Sequence, residues 1–228
     1  MTTILVTGGN RGIGLEFVTQ FLKLGFSVIT TSRKTSKSTE LLDLKDHFNN
    51  SLEILELDLL SDGSIEKFGE LLGSRPIDIF VNNAGVMGPR NLELNQVSST
   101  PWLEVLRVNT IAPLILTKNI LPNILSGDEK KMFYLSSRVG SIAENTAGAM
   151  YAYRSSKAAL NQVVKCLFPP ILSDNVCTLN LMLQSIFPWL PQTFCTGAAA
   201  SDLSRRRSRG VKPQATRISS SVRSMASR

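Results

Sequence analysis

Histidine is almost missing: His47, in the polar stretch "KDHFNN", is the only one in 228 residues. The three cysteines, Cys166, Cys177 and Cys195, form no CxxC pair. With one imidazole and no thiol cluster, no zinc or other metal centre is expected. An odd, scattered set of thiols fits reduced cysteines rather than a disulfide framework. Long hydrophobic runs are missing too. The most apolar late stretch, "LNLMLQSIFPWLP", carries Asn180 and Gln184 and is broken by Pro188 and Pro191, whereas a membrane span needs about 20 apolar residues. The opening "MTTILVTGGN" lacks the basic and apolar regions of a secretory signal. A cytoplasmic chain without membrane association is expected.

A basic face is also lacking. The net charge is +7, but residues 201–228 hold eight of the 25 basic side chains and one of the 18 acidic ones, leaving seventeen of each in the first 200. A neutral body with a basic tail is not built around nucleic-acid phosphates, so no specific nucleic-acid partner is expected. The tail is suited at most to weak polyanion binding.

What is present is a globular composition. Apolar residues make up 43% of the chain and mean hydropathy is +0.06, enough for one sizeable domain. Short apolar runs alternate with helical patterns. "TILVT" (3–7), "FSVITTS" (26–32), "SLEILELDL" (51–59), "IDIFVNNAG" (77–85) and "KMFYLSS" (131–137) read as strands, and "NVCTLNLML" as a sixth. Between them lie helical stretches, with Ile13, Phe17, Phe21 and Leu24 at helical spacing in the first. "STPWLEVLRVNTIAPLILTKNILPNIL" reads as a long helix starting near Pro101, capped by Ser99 or Thr100 and bent at Pro113. "AMYAYRSSKAALNQVVKCLF" reads as a second long helix, stopped by Pro169 and Pro170. Strands alternating with helices predict an α/β fold of three layers, a doubly wound parallel sheet between helices.

The turn "VTGGNRGIG" places Gly8, Gly12 and Gly14 between the first strand and the first helix. Glycine there permits a tight turn and close approach to a pyrophosphate, which the helix N-terminus attracts through free amides and its dipole. The bland alternative is a glycine-rich turn with no ligand. Position after a first strand and before a helix favours a dinucleotide. An NAD site places a carboxylate at the end of the second strand, to hold the ribose 2′-hydroxyl. Here that stretch is "TTSRK", with Arg33 and Lys34 and no acid, and Arg11 lies in the glycine turn. Two cations at the ribose favour a 2′-phosphate, hence NADP(H) over NAD(H). The alternative is that Arg33 and Lys34 are merely solvated.

"TGGNRGIG", "NNAG" (82–85), "VNT" around Asn109, "YLSS" (134–137) and "YRSSK" (153–157) stand in the order seen in short-chain dehydrogenases/reductases. Over residues 1 to about 165 the chain resembles that family. Its texture from Leu135 to Asn161 is similar to sniffer-type carbonyl reductases and the bacterial C-factor group. The resemblance implies a Rossmann-like fold of about seven strands and NAD(P)-dependent interconversion of a carbonyl and an alcohol. It implies that Gly8, Asn10, Arg11, Gly12, Ile13 and Gly14 meet the cofactor around its phosphates. Arg33, Asp58 and Leu59 would flank the adenosine, and Asn82, Ala84 and Gly85 would line the cleft after strand four. Asn109 would kink the long helix and hold a relay water.

Lys157 comes four residues after Tyr153, so both share one helix face. Tyr151 precedes Lys157 by six, about 240° round the helix, and points elsewhere. A free phenol is too weak an acid for chemistry near neutral pH, and a nearby ammonium lowers its pKa. The resemblance makes Tyr153 the proton donor and has Lys157 hold the nicotinamide ribose as well. It gives a serine the task of positioning the carbonyl. Ser137 matches by motif, at the end of strand five, and is preferred. Ser141, 12 residues before Tyr153 rather than 16, is the alternative by spacing.

After Lys165 the pattern changes. Pro188 lacks a glycine after it, where the family has a Pro-Gly turn over the nicotinamide. Residues 198–228 are rich in Ser and Arg and have the composition of a disordered tail. The expected organisation is one dinucleotide-binding domain over 1–197 and an irregular tail. Two functions remain open at this level: an NADPH-dependent carbonyl reductase acting on a small-molecule carbonyl or alcohol, or an inactive nucleotide-binding protein. A homodimer through the helices at about 100–125 and 149–168 is expected.

Overall fold

The structure, a computed structural model, describes residues 1–90, 92–167 and 177–181. Its sheet has six parallel strands: β1 (Thr3–Val6), β2 (Ser27–Ser32), β3 (Leu52–Glu56), β4 (Ile79–Asn82), β5 (Lys131–Leu135) and β6 (Cys177–Leu181). They are ordered β3-β2-β1-β4-β5-β6. The alternating β-branched and aromatic side chains of β1, β2, β4 and β5 are buried on both faces, as a covered parallel sheet requires. Ile4, Val6, Val28, Ile79, Val81, Phe133 and Leu135 belong to one core. Leu5, Ile29, Phe80, Met132 and Tyr134 belong to the other.

Helices α1 (Gly12–Lys23) and α2 (Thr39–Phe48) cover the first face. On the second lie α3 (Asp62–Leu72), α5 (Ala112–Ser126) and α6 (Tyr151–Leu167). Helix α4 (Ser99–Leu106) leads into α5 and packs against α6. This is the doubly wound three-layer α/β/α arrangement expected from the sequence. The chain leaves β1 in one direction for β2 and β3, then returns to β1's other side as β4. That reversal opens a crevice at the carboxyl ends of β1 and β4, where such sheets bind ligands. Among the described residues no helix is long and apolar enough to cross a membrane.

Two local expectations change. The long helix begins at Ser99, with Ser98 at its cap making no side-chain capping bond. Its irregularity falls on Arg107–Ile111, a π-turn between α4 and α5, rather than on Pro113. Pro113 lies in the first turn of α5, where the register shift leaves no amide to be missed. The seventh strand, the Pro169–Pro170 stop, the region of Pro188 and the 198–228 tail lie outside the described residues.

Candidate active site

The glycine turn emerges from β1 directly at the crevice. Gly8 takes a left-handed φ of +68°, and a Cβ there would sit 3.1 Å from the Cα of Ala84. A Cβ on Gly14 would strike the Gly8 carbonyl and the Asn83 amide. Gly12 differs: at φ +55° its missing Cβ would point into open space, with nothing within 4 Å. Helix α1 starts there with no side-chain cap and no acid in its first turn. Its leading amides therefore face outward unpaired. A backbone cradle with free donors at a positive helix end fits a nucleotide pyrophosphate.

Two residues not singled out from sequence hold this cradle. Thr7, fully buried, accepts at its hydroxyl from the amides of Asn83 and Ala84, both at 3.1 Å. Asn83 donates its side-chain amide to the carbonyls of Thr7 at 2.9 Å and Gly8 at 3.0 Å. β1 and β4 are register partners up to Val6 and Val81. The segments leaving the carboxyl ends of these two strands must therefore meet. Asn82, which the motif singled out, is 2% exposed at the end of β4, and its Oδ1 has no hydrogen-bond partner among the described residues.

The remaining cofactor candidates divide by position. Asn10 and Arg11 lie in the turn, and Arg11 is exposed. Ile13 packs against the α1 core. Arg33 and Lys34, exposed after β2, lie just beyond Thr31, whose hydroxyl accepts from the Gly8 amide at 3.1 Å. Neither Arg11 nor Arg33 has a carboxylate partner among the described residues. Asp58 accepts from the Leu60 amide at 3.0 Å through one oxygen. Leu59 is buried in the core, leaving only its backbone for an adenine. Gly85 is exposed on the far side of the crevice, and its missing Cβ would lie 3.8 Å from Lys157 Nζ.

Ser137, Tyr153 and Lys157 meet beside Gly85. Ser137 lies just past β5, where its hydroxyl lowers the pKa of the Tyr153 phenol. Ser141 closes the 138–140 turn through its amide. Gly140 permits the arrangement: a Cβ there would lie 2.9 Å from the Lys157 backbone, so only glycine lets this turn rest on α6. Residues 148–150 are left-handed, with Ala149 at φ +53° and Met150 at +51°. Tyr151, 40% exposed, stands apart beside Trp102.

Asn109, in the π-turn, is fully buried. Its Oδ1 accepts from the Val86 amide at 2.8 Å. Its Nδ2 donates to the Val86 carbonyl at 2.8 Å and to Ser156 Oγ at 3.0 Å. Ser156 in turn donates to the Tyr153 carbonyl at 2.8 Å. The Asn109 side chain thus ties the β4 loop to α6.

Burial sets the electrostatics of the pair first. It pushes the Tyr153 phenol up, and the Ser137 hydroxyl and the Arg90 charge bring it part of the way back. Lys157, 5% exposed, donates to the Leu135 carbonyl at 2.8 Å and lies 5.8 Å from the centre of the Tyr153 ring. Burial lowers its pKa to about 8, so near pH 7 it remains mostly a cation.

With this geometry in view, comparison with known proteins is specific. The sequence profile of short chain dehydrogenase matches residues 2–184. The short chain dehydrogenase gsfK of Penicillium aethiopicum is 36% identical over 183 residues, 72% of this chain and 68% of that protein. The chain spans 63% of the length of Myxococcus xanthus C-signal, 36% identical over 106 residues. It spans 59% of the Arabidopsis thaliana dehydrogenase/reductase FEY. A Pseudomonas aeruginosa carbonyl reductase solved in complex with NADP superposes with a TM-score of 0.72 at 29% identity, over 79% of this chain and 81% of that one. The Drosophila melanogaster carbonyl reductase Sniffer does so with a TM-score of 0.66 at 33% identity, over 73% and 74%. The crevice at the sheet reversal, its glycine cradle and the Ser137, Tyr153 and Lys157 cluster thus stand in a chain that belongs to the short-chain dehydrogenase family of oxidoreductases.

Proposed function

We propose that this protein is an NADPH-dependent reductase that converts an aldehyde, ketone or quinone to an alcohol. The observation that carries the reading is the meeting of Ser137, Tyr153 and Lys157 at the open crevice beside Gly85. The glycine cradle and the unpaired Arg11 and Arg33 hold the dinucleotide, the two cations favouring a 2′-phosphate. Bound there, the nicotinamide supplies a hydride to the carbonyl carbon. The Ser137 hydroxyl orients the carbonyl oxygen. Tyr153 gives that oxygen its proton, and the buried Lys157 cation stabilises the phenolate left behind. Asn109 positions the site through Val86 and Ser156.

Sniffer and the Pseudomonas aeruginosa protein, both carbonyl reductases by name, support this reading. The absence of a glycine after Pro188 favours a second one, nucleotide binding without turnover. The chain is further proposed to be cytoplasmic and to pair through α4, α5 and α6, where Leu103, Ile111, Leu114 and Leu125 are exposed. The test is NADPH oxidation by the full chain against aldehydes, ketones and quinones. Replacing Tyr153 with Phe is expected to lower kcat/KM by roughly 10²–10⁴. NADPH binding without turnover of any carbonyl would leave only the second reading. Equal or tighter binding of NADH would overturn the roles of Arg11 and Arg33.

A further inference from the structure

Strand β2 ends on two buried hydroxyls, Thr31 and Ser32, and the exposed pair Arg33 and Lys34 follows directly. The Thr31 hydroxyl holds the glycine turn. Ser32, 5% exposed, faces Ser38, 2% exposed, and their hydroxyl oxygens lie 2.9 Å apart. The backbone of Lys34 closes the circuit. Its amide donates to Ser32 Oγ at 3.4 Å, and its carbonyl accepts from Ser38 Oγ at 3.2 Å. Ser32 Oγ also lies 3.3 Å from that carbonyl. Each hydroxyl has one proton to give. One direction of donation uses both: from the Lys34 amide to Ser32, from Ser32 to Ser38, and from Ser38 to the Lys34 carbonyl.

Ser38 stands where a helix cap belongs. It directly precedes α2, a position from which serine ordinarily accepts from the first-turn amides. Here it makes no side-chain capping bond. The hydroxyl holds the preceding loop instead. A local preference set aside in this way marks a functional place more often than a stabilising one. What the loop carries is charge. Neither Arg33 nor Lys34 has a carboxylate partner among the described residues, so no ion pair orients them. The serine ring fixes the peptide groups on both sides of Lys34. It thereby sets the directions in which the two cationic side chains leave the backbone.

We infer that Ser32 and Ser38 are positioning residues for cofactor choice: their hydroxyls set the Arg33–Lys34 loop in the conformation that meets the 2′-phosphate of NADPH. This rests on the NADPH reading and names what holds its cations in place. The measurement is the affinity of the full chain for NADPH and for NADH, by titration of the cofactor's own fluorescence, which needs no turnover. The wild-type chain is expected to prefer NADPH. Ser38→Ala and Ser32→Ala are each expected to cut the NADPH-to-NADH affinity ratio about tenfold, through weaker NADPH binding with NADH binding unchanged. Because both hydroxyls serve one ring, the double variant is expected to lose little more than either single one. In a chain carrying Arg33→Gln and Lys34→Gln, Ser38→Ala is expected to change the ratio no further. A merely structural role would weaken both cofactors alike, whether or not the two cations are present. Ratios unchanged in both single variants, or equal losses for NADPH and NADH, would overturn the inference and leave the NADPH reading standing. A wild-type chain without a preference for NADPH sinks that reading and the inference together. Thermal melts check that the variants fold, and if Ser38→Ala does not, Ser32→Ala decides.

Discussion

Lys157 carries an ammonium into a site that disfavours it. Its pKa falls from 10.5 to about 8 through burial, so the folded chain binds this proton less well than the unfolded chain. The penalty is present in full below pH 8 and is relieved as pH rises toward 10.5. Lys157→Met is therefore expected to raise stability at pH 7 by roughly 1–2 kcal/mol, after loss of the bond to Leu135, while abolishing reduction. Urea unfolding at pH 7 and pH 10 checks this, the gain shrinking at the higher pH. In the reducing direction kcat/KM should decline above about pH 8, as Lys157 loses its charge and support for the phenolate goes with it. Oxidation of an alcohol needs Tyr153 as the base. Ser137 and Arg90 are what lower its raised pKa, so Ser137→Ala and Arg90→Gln should each move the pH–rate limb of oxidation upward. A limb that stays in place in both variants would remove Tyr153 as its source.

At the scale of elements, the site depends on how closely three segments approach. A methyl group at Gly140 would press on the backbone of Lys157, so Gly140→Ala must separate the Ser137 turn from α6. We expect a loss of about 1–3 kcal/mol in stability and a larger proportional loss in kcat than in NADPH affinity, read by urea unfolding and steady-state kinetics. The left-handed Ala149 before α6 is exposed, and Ala149→Gly should stabilise by roughly 1 kcal/mol in the same unfolding assay. Much at this scale was legible: the six strands fall within the runs expected of them. The break at Asn109 was legible only through the family resemblance. The helical pattern alone pointed to Pro113, because a proline there is a local signal. The turn at Asn109 exists because its side chain has partners on Val86 and Ser156, 23 and 47 residues away in the chain.

For the whole molecule, the order β3-β2-β1-β4-β5-β6 places every chemical group at one end of the sheet. The crevice forms where the winding reverses, and ligand binding there couples β1, β2 and β4. A dinucleotide that binds only the folded state should protect the entire unit. NADPH at about 100 times its Kd is expected to raise Tm by roughly 5–10 °C in a thermal melt. NADH at equal concentration should do less. Equal shifts would show that Arg11 and Arg33 do not read the 2′-phosphate.

The sequence by itself determined the fold class and the candidate reacting pair. Alternating apolar runs, a glycine turn after the first strand and the four-residue spacing of Tyr153 and Lys157 are local patterns. Backbone geometry turns such patterns into structure without knowledge of the rest of the chain. The tertiary structure decided what depends on distant neighbours. Thr7 and Asn83 became the stitch because β1 and β4 are adjacent. Ser137 rather than Ser141 reached the phenol because Gly140 lets the turn lie on α6. In "MYAYRSSKAAL", helical periodicity separated Tyr153 from Tyr151. Only packing gave Tyr151 its own place, beside Trp102.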